Sequence, residues 1–99
     1  MTRITNYKEL NGIDTAPSVV SAVPEKIEHK NTILKYLRSF NEDCVSAGKV
    51  FDEIENKQVD IALISYTDGE FYWNEADIYY FENYDLKLED DFVQKVLKN

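Results

Sequence analysis

Val59-Asp60-Ile61-Ala62-Leu63-Ile64-Ser65-Tyr66-Thr67-Asp68-Gly69-Glu70-Phe71-Tyr72-Trp73-Asn74 is the stretch that decides the fold. Val59, Ile61 and Leu63 make one face of an extended segment wholly apolar, and Ala62 and Ile64 make the other partly so. This predicts the central strand of a sheet, ending at Tyr66. Asp68-Gly69 readily supplies the positive φ angles of a tight hairpin, and Glu70 to Trp73 is the returning strand. Asn74 then caps a helix running from about Glu75 to Tyr84. Its side-chain oxygen accepts from a backbone N–H in the first turn, and Glu75 and Asp77 suit the positive end of the helix. Trp73 and Ile78 have the spacing of a hydrophobic staple across that cap.

Upstream, Cys44 to Phe51 reads as a further strand, bent or bulged at Gly48. Before it, Ile27, Ile33, Leu34, Leu37 and Phe40 recur at helical spacings and predict a helix from about Glu25 to Phe40, with Lys35 and Tyr36 toward its flank or solvent side. Downstream, Asp85 to Leu88 interrupts the pattern and offers Leu86 and Leu88 as plugs. Glu89, Asp90 and Asp91 open a last helix that turns Phe92, Val93, Val96 and Leu97 inward, with Lys95 and Lys98 near its negative end. The expected fold is α+β: a small, mainly antiparallel three-stranded sheet packed with about three helices, in the order α-β-β-β-α-α. Residues 1–23 show no sustained period and read as an irregular arm, leaving residues 24–99 as a single domain.

Composition narrows the function by exclusion. The chain has 99 residues and a net charge of −8, and the acidity lies in its second half. Residues 42–99 hold fifteen carboxylates against five lysines, whereas residues 1–41 are slightly basic. Nucleic acid would be repelled by such a surface, and a basic protein partner is permitted. The sequence lacks an apolar run long enough to cross a bilayer and an exported-type leader, and its one cysteine, Cys44, fits a reducing compartment, so the expected location is cytoplasmic.

Residues that carry chemistry are few. His29, between Glu28 and Lys30, reads as a solvated helix residue. Cys44 has no cation beside it in sequence and reads as a buried or inert thiol. One histidine and one cysteine cannot build an ordinary zinc site, and Glu89-Asp90-Asp91 lacks the spacing of a calcium loop, so no metal is expected. Gly12, Gly48 and Gly69 are isolated, which excludes phosphate loops and dinucleotide fingerprints; no cofactor and no catalytic residue are assigned.

The densest feature is aromatic. Tyr66, Phe71, Tyr72, Trp73, Tyr79, Tyr80, Phe81 and Tyr84 fall within nineteen residues. A ten-residue helix cannot bury its four aromatics on one stripe, so one or two tyrosines should reach the surface. The expected binding surface is therefore Tyr72, Trp73, Tyr79 and Tyr80, rimmed by Asp68, Glu70, Glu75 and Asp77. Its leading reading is a non-enzymatic protein-interaction module, in a sharper form an acidic inhibitor or immunity-type protein. The alternatives are a small hydrolase using two carboxylates, and a homodimer that buries the aromatic patch.

Ser65-Tyr66-Thr67-Asp68-Gly69-Glu70-Phe71-Tyr72-Trp73, with Ile78-Tyr79-Tyr80 and Tyr84-Asp85-Leu86-Lys87-Leu88, resembles a family of small uncharacterised proteins of Gram-positive bacteria. The resemblance covers roughly residues 40–99 and the Ala16-Pro17-Ser18 segment. It implies a bacterial cytoplasmic origin, sometimes as cargo of mobile elements, and brings no assigned activity. Where a proline commonly follows the final leucine pair, this chain has Glu89.

Overall fold

The computed structural model describes residues 1–21 and 26–98. Its elements are β1 (Thr2–Arg3), α1 (Lys8–Asn11), α2 (Lys30–Leu37), β2 (Cys44–Asp52), β3 (Lys57–Thr67), β4 (Phe71–Asn74), α3 (Glu75–Tyr84) and α4 (Asp90–Lys98). The α+β class stands, but the sheet has four strands in the order β1-β4-β3-β2, and it is mixed rather than antiparallel. The additional strand comes from the segment expected to be irregular. β1 pairs parallel to β4, Thr2 with Phe71 and Arg3 with Tyr72. Two residues are too short to show alternation, so their pairing depends entirely on the partner strand.

Beyond β1, Ile4 is fully buried, its amide donates to the Tyr72 carbonyl at 3.1 Å, and its carbonyl accepts from the Glu89 amide at 2.8 Å. This strap ties the entry of α4 to the sheet.

The hairpin and the helix that follows form as their local chemistry dictates. Gly69 takes a φ of 97°, whereas Asp68 does not adopt positive φ. Asp68 instead closes the turn with its carboxylate, which accepts from the amides of Glu70 (2.9 Å) and Phe71 (2.7 Å). This is the side-chain turn that aspartate makes with the backbone a few residues on. Asn74 accepts from the Asp77 amide, and Asp77 accepts in return from the Asn74 amide, both at 3.1 Å, a reciprocal capping box. Gly48, at φ 95°, sits in a register shift between Val45 and Lys49, as the strand bend required.

The first long helix departs from its expected span. It begins at Lys30; Lys26 to His29 are not helical, and Glu25, its expected first residue, lies outside the described residues, as does the 23/24 boundary of the arm. His29 adopts a left-handed φ of 58°, which an α-helix of L-residues cannot continue. Ile27 packs against the core from a non-helical segment, so its helical spacing from Ile33 and Leu34 has no helical cause. Tyr36 also turns inward, its ring 5.0 Å from Phe40, 5.8 Å from Phe92 and 6.2 Å from Trp73.

The main core joins Ile4, Ile33, Leu37, Phe71, Trp73, Ile78, Phe81, Leu88, Phe92 and Val96. A second cluster sets Tyr80 against Val19 and Leu86, with Tyr7, Leu10, Tyr79 and Tyr84 around it. Leu86 and Leu88 are the plugs expected of them, whereas Leu97 is exposed.

Candidate protein-contact surface

The expected contact surface is divided by the fold. Trp73 has no exposed area, and its indole N–H donates to the Leu37 carbonyl at 3.1 Å. Tyr80 is equally buried; its hydroxyl donates to the Phe51 carbonyl (2.9 Å) and accepts from the Glu53 amide (2.8 Å). Asp77 is buried under Arg3, whose guanidinium meets both carboxylate oxygens at 2.9 and 3.1 Å, and under the Thr5 hydroxyl at 2.9 Å. These three are corrected from surface to interior. Each closes a junction between distant segments, because a buried polar group needs partners, and apart from the Asn74 amide on Asp77 only tertiary contact supplies them here.

Of the other five, Asp68 keeps only 2% of its side chain exposed and is also turned into the fold, while the rest lie nearer the surface, most of them engaged within the fold. Glu75 accepts from the Tyr66 hydroxyl at 2.8 Å and faces Arg38 at 3.9 Å. Tyr79 donates to Asp52 at 2.6 Å. Asp68 and Glu70 share Lys95, at 3.0 and 2.9 Å, and Tyr72 is exposed. Among the expected acids only that pair shares a cation, so the constellation does not converge on one pocket.

Two aspartates act as hubs. Asp52, unassigned at the sequence level, is fully buried and accepts from Tyr79, from the Tyr84 hydroxyl at 2.5 Å, and from the amides of Ile54 (2.9 Å) and Glu55 (2.8 Å). Burial alone would raise its carboxyl, but the two hydroxyls and two amides hold it below the ordinary range. The same bond, with burial behind it, raises the Tyr84 and Tyr79 phenols. The only sign of Asp52 in the sequence was its place immediately after the strand read from Cys44 to Phe51.

Asp68 is the second hub. Burial works to raise its carboxyl and is overridden by the Phe71 amide, the Tyr36 hydroxyl, the Glu70 amide and Lys95, which bring it down to about 2. Tyr36, pushed by burial and then by this bond, rises to about 12. A depressed carboxyl stabilises the fold above its ordinary value of 3.8, and that contribution is lost as pH falls toward 2. Asp68→Asn is therefore expected to cost about 2 kcal/mol at neutral pH, with the gap from wild type closing between about pH 4 and pH 2. Urea titrations of both proteins across that range test this; a gap independent of pH would reject it.

What remains open is the β2–β3 hairpin. Within β3, β4 pairs only with Ser65, Tyr66 and Thr67, so most of β3 has β2 as its one strand neighbour, and β2 is one edge of the sheet. Cys44 to Lys49 are six consecutive exposed residues. Val45 is 60% exposed, Phe51 41% and Ile54 38%, while Val59, Ile61, Leu63 and Ile64 are half-buried. Cys44 is thus an exposed thiol rather than a buried one. Alternation identified these strands, but it does not say which strand is an edge, since that depends on the order of strands in space.

Fold and surface together define a small α+β domain with an open sheet edge and an acidic exterior. Among the described residues no group of three potential metal ligands is gathered, and no helix is long and apolar enough to cross a membrane. Compared with family models, with curated proteins and with solved structures, the chain matches none.

Proposed function

We propose that the protein is a non-enzymatic interaction module, of the acidic inhibitor or immunity type, that meets its protein partner through the β2–β3 hairpin. One observation carries this reading: six consecutive exposed residues on an edge strand, Val45 among them, with Phe51 and Ile54 exposed farther along. Natural sheets blunt such edges, because an open row of backbone donors and acceptors is a template for another chain. The expected aromatic patch cannot serve in its place, since Trp73 and Tyr80 are core. The acids of residues 42–99 would steer a basic partner to the surface and disfavour nucleic acid.

Cys44 provides the test, being the single cysteine and lying on the edge strand. A photo-crosslinker attached there, in native cell extract, is expected to yield an adduct of defined mass. The same label on a Cys44→Ser/Lys87→Cys variant, at another exposed position, should not yield that adduct. No adduct from Cys44, or the same adducts from both positions, would reject the reading.

A further inference from the structure

The β2 edge favours one kind of occupant, and the deduction rests on the interaction reading above. Residues 42–64 carry six carboxylates and two lysines. Both lysines are spent within the hairpin, Lys49 on Asp60 and Lys57 on Glu55. Asp52 is buried and fully engaged by hydroxyl and amide donors. Glu42, Asp43 and Glu53 make no ion pair among the described residues, and Glu42 and Asp43 are exposed immediately before the edge strand.

The edge keeps one guard, the register shifts on either side of Lys49, and has lost another. A lysine in an edge strand ordinarily repels an incoming strand, but Lys49 leans across to Asp60 on β3. The positions outside it are small or apolar: Val45, Ser46 and Ala47. A strand laid beside them would place alternate side chains on the Val45 face, next to the half-buried Ile64 with which Val45 pairs. A second copy of the chain would bring the same net negative hairpin to this edge and meet like charge.

We infer that the outer edge of β2 receives an extended basic segment of a partner protein by strand addition, with alternate apolar residues on the Val45 face and lysine or arginine residues toward Glu42, Asp43 and Glu53. Backbone hydrogen bonds would supply affinity, and the alternation and charge would supply selectivity.

The probe is a capped peptide of about eight residues alternating valine and lysine, long enough to span the exposed positions. It is compared with its valine–glutamate counterpart and with a valine–lysine version N-methylated at alternate amides along one edge. Binding is read from amide chemical shifts of the full chain. Expected are saturable shifts centred on Cys44 to Lys49 with the basic peptide, none with the acidic one, and at least about tenfold weaker binding after methylation, which keeps the charge and removes the donors. Val45→Lys, a change at an exposed position, should weaken binding to a similar extent.

Equal binding of the methylated peptide, or shifts spread over the acidic surface, would overturn strand addition. So would sedimentation showing that the free chain is a dimer whose β2 edge is protected. A Cys44 adduct together with any of these results would leave the interaction reading standing and reject only the strand; failure of both experiments would reject both.

Discussion

Trp73→Ala is expected to cost about 3–5 kcal/mol, a large share of the roughly 5–15 kcal/mol that holds a domain of this size together. Trp73 sits between the helices and the sheet, with ring centroids 5.5 Å from Phe92 and 5.6 Å from Phe40. Truncation leaves a cavity walled by rigid rings, and it strands the Leu37 carbonyl that the indole serves. Because Trp73 is the only tryptophan, far-UV circular dichroism rather than fluorescence should follow the urea titration. A loss below about 1 kcal/mol would mean an open site, would undo the assignment of Trp73 to the core, and would return the aromatic patch to the surface.

Arg3→Ala should be nearly as damaging, although it lies in a segment without visible periodicity. Asp77 is wholly buried and takes both oxygens' contacts from the Arg3 guanidinium, with Thr5 and the cap amide completing its shell. Removing the cation leaves a buried carboxylate uncompensated, at a cost of about 3–5 kcal/mol. A paired Arg3→Met/Asp77→Leu replacement should recover part of that loss, because it removes both the desolvated charges. Amide hydrogen exchange gives a local reading. The Ile4 amide, bonded to Tyr72, should lose protection in Arg3→Ala. Unchanged stability and protection would show that the N-terminal strap does not hold the fold.

Both predictions concern residues whose importance comes from distant neighbours, and the proposed interaction follows from the same geometry. Trp73, Asp77 and Tyr80 are turned inward to lock β4, the N-terminal strap and the end of β2 together, and the β2–β3 hairpin is left outward. The exposed edge of β2 lies on a hairpin that carries six carboxylates against two lysines over residues 42–64.

The division between local and tertiary information follows the reach of the forces involved. Asn74 caps its helix, Gly69 supplies the left-handed turn, and Gly48 bends its strand; these depend on neighbours in sequence and were legible there, whereas the return bond from Asp77 was not read. The α+β class and the β2–β3–β4 hairpins follow from periods of two and 3.6 for the same reason. His29, by contrast, ends helical geometry where apolar spacing would extend it, and nothing adjacent announces that. The parallel pairing of Thr2–Arg3 with β4, the burial of Asp77 beneath Arg3 and the open edge of β2 each join or separate segments across the chain. Only the tertiary structure decides them, because a two-residue strand, a buried charge and a sheet edge acquire their energy from partners that sequence neighbours do not provide.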